Sequence, residues 1–365
     1  MNSINFRPTA TLREPTELVA HGLVSVRDLP DLEKVAARYV VAVTPDIAAL
    51  IDPDDPDDPI ARQFIPAAEE LVAAPGENAD PIGDHAHSPV AGIVHRYPDR
   101  VLFKLVHVCA VYCRFCFRRE MVGPGKASAL SQGAYDNALA YIRAHSEIWE
   151  VILTGGDPLM LSPRRLAEIM ADIAGTDHVR IIRIHTRVPV ADPARISGEM
   201  IAALKVKAAT TWVALHANHV RELTDAARAA CADMVDAGIP MVSQTVLLRG
   251  VNDNAAALEA LMRAFVECRI KPYYLHHGDL APGTAHLRTT LAQGQDLMRG
   301  LRGRLSGLCQ PDYVLDIPGG HGKAPVGPNY LSQADSFSEE READAETRYR
   351  VVDYCGDVHL YPPKP

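Results

Sequence analysis

Three cysteines, Cys109, Cys113 and Cys116, fall within eight residues. Thiolates that close together wrap one compact metal centre, and iron–sulfur clusters are held by thiolates. Three ligands rather than four leave one iron of a four-iron cluster open to a substrate or cofactor, the logic of a catalytic zinc site with one free position. A structural zinc knot would want a fourth Cys or His at similar spacing, and the nearby His107 lies in a strand-like run. The other four cysteines, Cys231, Cys268, Cys309 and Cys355, are isolated along the chain. Cys231 falls on the apolar face of a helical pattern and reads as a small core residue. Seven cysteines spread over 365 residues do not make a disulfide framework.

A second cluster of chemistry is Asp316-Ile-Pro-Gly-Gly-His-Gly-Lys323. Glycines let a backbone pass close to a bulky ligand. A lysine ending such a loop is placed to form a Schiff base with pyridoxal phosphate. Loop chemistry alone, however, favours a solvated surface lysine.

The elements that must position these residues are legible from Val101 onward. Strand-like runs, Leu102–Val108, Glu150–Leu153, Val179–His185, Thr210–His216, Pro240–Leu247, Lys271–His276 and Asp312–Ile317, alternate with amphipathic segments. Leu166, Ile169, Met170 and Ile173 mark one helical face, opened by Ser162-Pro163. Ala227, Ala230, Cys231, Met234 and Val235 mark another, stopped by Gly238, and Leu258, Leu261, Met262 and Phe265 a third. Strand–helix alternation repeated about six times predicts an α/β fold of parallel strands with helical crossovers, closing as a full or partial (β/α) barrel. Reactive residues in such barrels sit at the C-terminal ends of strands. Cys109, Gly155-Gly156-Asp157, His185, His216, Gln244, Asp279 and Asp316 all fall at or near such ends. Residues 1–92 read as a helical region, with Asp31 to Leu50 at helical spacing until the acidic, proline-rich 52–59 breaks it. Residues 93–325 read as the barrel and 326–365 as a C-terminal extension. That extension passes through an acidic helix candidate and ends in a hairpin, Tyr349–Tyr354 with Val358–Tyr361.

A C-x3-C-x2-C loop after the first barrel strand resembles the radical S-adenosylmethionine superfamily. The Gly155-Gly156-Asp157-Pro158 turn resembles its motif for the methionine amino group. From about His87 to Tyr330 the chain is similar to the lysine 2,3-aminomutase family. The likeness runs through His87-Ser-Pro-Val90, His95-Arg-Tyr-Pro-Asp-Arg100, Gln244 to Asp253, and Pro272-Tyr-Tyr274 with Asp279-Leu280. The resemblance implies a partial (β/α)6-type barrel and an isomerase that interconverts L-lysine and L-β-lysine. It implies a [4Fe-4S] cluster on Cys109, Cys113 and Cys116, S-adenosyl-L-methionine, and pyridoxal 5'-phosphate on Lys323. The reaction would run through a 5'-deoxyadenosyl radical and a pyridoxal phosphate aldimine, with electrons from a donor such as a flavodoxin or ferredoxin.

The same resemblance puts Arg96 and Arg100 at pyridoxal phosphate and its phosphate group, and Gly155, Gly156, Asp157, His216 and Gln244 at S-adenosylmethionine. It puts Arg118 at the substrate carboxylate and Asp279 and Asp316 at the ε-ammonium. Guanidinium forks suit anions, and a buried ammonium needs negative partners. Two carboxylates for one cation disfavour glutamate as substrate, and glutamate-selective relatives are expected to lack the pair. The nearest alternatives are the same chemistry on arginine, or β-lysine supply for modifying a translation factor. Read from the residues alone, Arg96 and Arg100 are better taken as ordinary surface charges, and His216 is equally a core histidine.

The chain departs from the family's pattern in carrying His321 inside the glycine run, Asn254 where relatives have a cysteine, and only Cys355 near the C-terminus. A structural zinc site there is therefore not expected, and a homo-oligomer held by that zinc is placed in doubt, though the sequence leaves a homo-oligomer open. The net charge of −9 excludes phosphate neutralisation as a binding mode and so a nucleic-acid partner. No apolar run approaches the roughly 20 residues that span a bilayer, and no secretory pattern opens the chain. Both point to a cytoplasmic protein.

Overall fold

In the computed structural model, which describes residues 8–121, 127–333 and 348–363, the β-branched runs become strands and the amphipathic runs become helices. The strands are β1 (Ile93–Tyr97), β2 (Arg100–Val106), β3 (Glu150–Gly155), β4 (Ile181–Thr186), β5 (Thr210–His216), β6 (Met241–Val246), β7 (Ile270–His276), β8 (Asp312–Ile317) and β9 (Gly322–Pro325). They pair in chain order into one nine-stranded sheet. Strands β2 to β8 run parallel, as the helical crossovers require. Strands β1 and β9 add antiparallel edges. The sheet curls around a single cavity that touches every strand from β1 to β9, yet β1 and β9 are not paired. The barrel is therefore partial. Tyr97 of β1 spans the gap: its hydroxyl accepts a 2.7 Å hydrogen bond from the Lys323 backbone N–H of β9.

The helices Pro163–Ala174, Asp225–Asp236 and Ala255–Glu267 bury the faces read from the sequence. Their N-caps, Ser162, Thr224 and Asn254, each accept from the N3 amide. The crossover helix Gln132–Ala144 was not expected. It buries Tyr135, Ala138, Leu139 and Ile142, a plain helical stripe that the neighbouring cysteine signal overshadowed.

The N-terminal region corrects an expectation. It is helical, as expected, but in short pieces, Pro15–Ala20, Leu29–Arg38, Pro45–Ala48 and Ala61–Phe64, joined by extended chain and turns. The expected helix over 31–50 stops at Tyr39. Val41 to Val43 are buried, Val43 bridges Leu12, and the Val40 carbonyl accepts from Arg114 Nη1 at 2.8 Å. Pro45 disfavours a helical conformation at Thr44 and starts a new helix capped by it. Near the C-terminus, β10 (Leu331–Gln333), β11 (Tyr349–Val352) and β12 (Val358–Tyr361) form a separate antiparallel sheet, with the expected hairpin turning at Gly356. The acidic helix candidate between β10 and β11 lies outside the described residues.

The irregular N-terminal chain clamps the cysteine loop. Glu70, with no exposed side-chain surface, accepts from Arg114 Nε at 2.9 Å and Nη2 at 2.5 Å, and also from Arg119 Nη2. These arginines lie between and just after the cysteines. Burial works against the Glu70 carboxylate, but the two guanidiniums hold it below the usual range. Glu70→Ala strands two buried cations and is expected to cost about 3–5 kcal/mol in chemical denaturation. A loss below about 1 kcal/mol, the range of exposed pairs, would contradict the clamp.

Candidate active site

One cavity of about 480 Å³ runs inside the barrel from Arg100, at the start of β2, to the C-terminal ends of the parallel strands, and it is lined by Cys109, Cys113, Cys116, Arg96, Arg100, Arg118, Gly155, Gly156, Asp157, His216, Gln244, Asp279, Asp316 and Lys323. The three thiols sit on one wall, in the loop after β2. That loop is fixed by backbone bonds into the N-terminal chain, Tyr112 N–H to Ala42 O at 3.1 Å and Arg114 N–H to Gln63 O at 2.8 Å. Burial pushes the thiols up, Cys113 to about 11 and Cys109 well above its ordinary value. They ionise only when a cationic centre replaces the proton.

The turn after β3 packs directly beneath the cysteine loop. Gly155 has φ +118, and a Cβ there would strike the Val106 carbonyl; one at Gly156 would strike the Val108 backbone. Asp157 N–H donates to Val108 O at 2.9 Å. The Asp157 carboxylate, assigned to a cofactor by resemblance, is committed within the protein. It accepts from Leu159 N–H at 3.0 Å, from the Thr186 hydroxyl at 2.8 and 2.9 Å, and from Arg187 N–H at 2.7 Å. Its work is to tie the end of β3 to the end of β4, leaving the backbone and glycines of this turn toward the cavity.

Arginines gather on a second wall around Asp84, a buried carboxylate that the sequence reading did not single out. Its Oδ1 accepts from Arg96 Nη2 at 3.1 Å, and its Oδ2 from Arg118 Nε and Nη2 at 3.2 and 3.0 Å. Arg96 Nη2 also donates to Ile82 O at 2.7 Å, while its Nε is buried without a partner. Arg118 Nη1 reaches only Thr154 Oγ1, at 3.4 Å, so one end of its fork remains for another acceptor. Arg100 lies over the Tyr97 ring, 3.9 Å from its centroid, and pairs with Asp99 at 2.6 Å.

In the same cavity, Asp316 and Lys323 are register partners across β8 and β9. Lys323 Nζ donates to Asp316 Oδ1 at 2.5 Å. Burial penalises the Asp316 carboxylate, but the hydrogen bond to His276 and the Lys323 charge hold it well below the usual range. Asp279 is driven the other way, up to about 7, by burial and by the charge of Asp316. The two acids thus share one cavity with their proton affinities pushed apart.

Three histidines complete the lining. His185, His216 and His276 each bury Nε2 without a partner. Burial lowers all three, His216 to about 3, so they are neutral at neutral pH. His276 ends β7, where the barrel rule places reactive groups, and was nevertheless read only as strand. Asp84 had no such signal, since it lies in an aperiodic stretch. Arg187, at the first position after β4, was also passed over; it is buried against Glu222.

Comparison with known proteins agrees with the geometry. Residues 103–261 match the radical SAM superfamily and residues 298–341 match Lysine-2,3-aminomutase. The chain is 43% identical over 291 residues to the L-lysine 2,3-aminomutase of Clostridium subterminale, covering 80% of this chain and 70% of that one. It is 38% identical over 349 residues to the L-lysine 2,3-aminomutase of Fusobacterium nucleatum, covering 91% and 82%. It is 36% identical over 300 residues to the glutamate 2,3-aminomutase of Clostridioides difficile, covering 82% and 70%. An open parallel barrel with its polar strand ends gathered on one cavity, matched over most of its length by these enzymes, belongs to the lysine 2,3-aminomutase family of the radical S-adenosylmethionine superfamily and is an aminomutase.

Proposed function

We propose that the protein moves the α-amino group of L-lysine to the β-carbon, using a four-iron cluster on Cys109, Cys113 and Cys116, S-adenosylmethionine at the open iron, and pyridoxal phosphate on Lys323. The observation that carries this reading is one cavity lined by three thiols, a lysine amine, several arginines and an acid pair. When bound, S-adenosylmethionine supplies a carbon radical for hydrogen abstraction, and pyridoxal phosphate supplies a conjugated ring that spreads the unpaired electron during amino migration.

The donor set suits these groups. Among the described residues no three His, Cys, Asp or Glu side chains meet at a point that holds one metal ion. Three thiols within eight residues suit a cluster with one thiol per iron. The unpartnered Nε2 atoms of His185 and His216 and the unpartnered Nε of Arg96 are buried polar groups that need acceptors or donors from a ligand. Arg100 and Arg96 suit a phosphate and its ring. The free end of Arg118 suits the substrate carboxylate, with Asp84 holding the guanidinium in plane.

Substrate choice rests on charge. The side-chain ammonium of lysine would replace Lys323 as the cation beside Asp316, and would pair with Asp279. Glutamate would bring a third carboxylate to the same place, which like-charge repulsion forbids. The cavity thus positions the α-carbon by Arg118 at one end and the ammonium by the acid pair at the other, the geometry that fixes C2 and C3 for chemistry.

Reconstituted anaerobically with S-adenosylmethionine and pyridoxal phosphate, the protein is expected to yield a β-amino product from lysine and none from glutamate, with arginine as a further comparison. Lys323→Ala is expected to lose both product and the cofactor's imine absorbance. No β-amino product from lysine would overturn the reading. Asp279→Asn should lower kcat/KM for lysine by the about 2–5 kcal/mol of a buried charge pair, or at least about 30-fold. Because the Asp279 carboxyl sits at about 7, it must lose its proton to pair with an ammonium. The KM for lysine is therefore expected to rise as pH falls below about 7, and Asp279→Asn should flatten that rise. A KM independent of pH in the unaltered protein would contradict the assignment.

A further inference from the structure

The end of β4 turns into the cavity a side chain to which the family resemblance gives no task. His185 lines the cavity, and its Nε2 is buried without a hydrogen-bond partner. A buried imidazole nitrogen without a partner costs free energy unless a bound molecule pairs with it. Burial, and then Arg183, His216, Arg118 and Lys323, hold the ring well below its ordinary pKa, so it is neutral. None of those groups is an anion. In the tautomer with Nε2 protonated, the ring has an N–H to give and cations around it. An anion is the acceptor that such surroundings favour.

The strand register says which anion. Strands β3 and β4 pair in parallel with Leu153 opposite Ile184, and both of these side chains pack in the core. One position further along each strand, Thr154 and His185 turn to the other face and into the cavity, side by side. Arg118 Nη1 reaches Thr154 Oγ1 at 3.4 Å, while its Nε and Nη2 are committed to Asp84. The uncommitted end of the guanidinium thus lies against the strand position next to His185. Lys104, the register partner of Thr154 on β2, adds a buried cation to the same row. Arg183, two residues earlier on β4, is occupied by Glu150, with Nη2 donating to Oε2 at 3.1 Å. On the β5 side, the His216 ring centroid lies 5.5 Å from that of His185 at a 52° tilt, a contact between two neutral rings.

We propose that His185 is a second ligand of the substrate's α-carboxylate, with its Nε2–H donating to the carboxylate that the free end of Arg118 holds. The inference rests on the reading of Arg118 as the carboxylate-binding arginine, and extends it. With two of its three nitrogens on Asp84, Arg118 cannot offer the carboxylate a full parallel fork. A donor from β4 supplies the second bond and fixes the plane of the carboxylate. The α-carbon hangs from that plane, so the two donors together help set the direction of the C2–C3 bond. The contact is made to the part that α-amino acids share. His185 therefore selects for an α-carboxylate, and the choice among side chains stays with Asp279 and Asp316.

The test compares lysine with cadaverine, the diamine left when lysine loses its carboxylate. Full-length protein carrying its cluster, pyridoxal phosphate and S-adenosylmethionine, without reductant and so without turnover, is dialysed to equilibrium against each labelled amine. The unaltered protein is expected to bind lysine more tightly than cadaverine. His185→Phe and His185→Leu have no donor, and circular dichroism checks their folding. Both are expected to weaken lysine binding about 10- to 100-fold, the range of a lost hydrogen bond to a charged group, and to leave cadaverine binding unchanged. His185→Gln, which keeps an N–H, is expected to retain most of the preference for lysine. The imine absorbance before substrate is added is expected to be the same in every form. Equal weakening of both amines, weakening of neither, or a shifted imine absorbance in a folded donor-free variant would overturn the role of His185. Arg118→Gln tests the reading beneath it. Loss of the preference in Arg118→Gln alone would keep Arg118 at the carboxylate and remove His185 from it, whereas a preference that survives Arg118→Gln would overturn both.

Discussion

The antiparallel pairing of β8 and β9 fixes the lysine side of the cavity. Asp316 and Lys323 are direct register partners, so the hairpin delivers a carboxylate and an amine to the same point. The turn between them carries Gly319, Gly320 and Gly322 at φ +85, +88 and +87, conformations that L side chains rarely adopt. The glycine run is therefore required first by the hairpin, whatever else it admits. His321 interrupts it at a solvent-exposed position without disturbing the register. His87 Nε2–H donates to the Gly320 carbonyl at 2.9 Å, and a Cβ at Gly83 would strike the Gly320 backbone. The loop is thus held from outside by the segment that also carries Asp84.

The cysteine wall is positioned by a different means. The cysteine loop buries Ala110 and Val111 in the core, and burying the rest of it requires that its polar backbone and flanking arginines be matched. Residues 58–71 supply those partners through Gln63 and Glu70. The same logic recurs around the cavity: Glu70 for Arg114 and Arg119, Asp84 for Arg96 and Arg118, Glu222 for Arg187. Each buried carboxylate holds one or two guanidiniums in a fixed plane. Fixed charges around the cavity cost little reorganisation when a reaction moves charge.

Much of this was legible in the sequence because it is periodic or compact. Short strand-like runs marked the seven parallel strands, and the Leu166 and Leu258 stripes marked their crossovers. The three clustered cysteines marked the metal wall. The barrel rule then assigned His216, Gln244, Asp279 and Asp316 to one place. Illegible residues share a cause, which is that their partners are distant in sequence. Glu70 meets Arg114, Asp84 meets Arg118, and Tyr97 meets Lys323 only after the barrel curls. The N-terminal region was misread because local helical spacing over 31–50 competed with tertiary bonds to Leu12 and Arg114, and the tertiary bonds won. Asp157 shows the converse: a motif residue whose resemblance suggested a ligand contact is consumed by strand-end packing.

The most direct test of the shared cavity is an anaerobic crystal structure of the reconstituted protein with both S-adenosylmethionine and pyridoxal phosphate. The expected density is a four-iron cluster on Cys109, Cys113 and Cys116 and a cofactor ring joined to Lys323 Nζ, with both groups in contact with the same lining residues. A cluster bound elsewhere, or a cofactor joined to a different lysine outside this cavity, would contradict it.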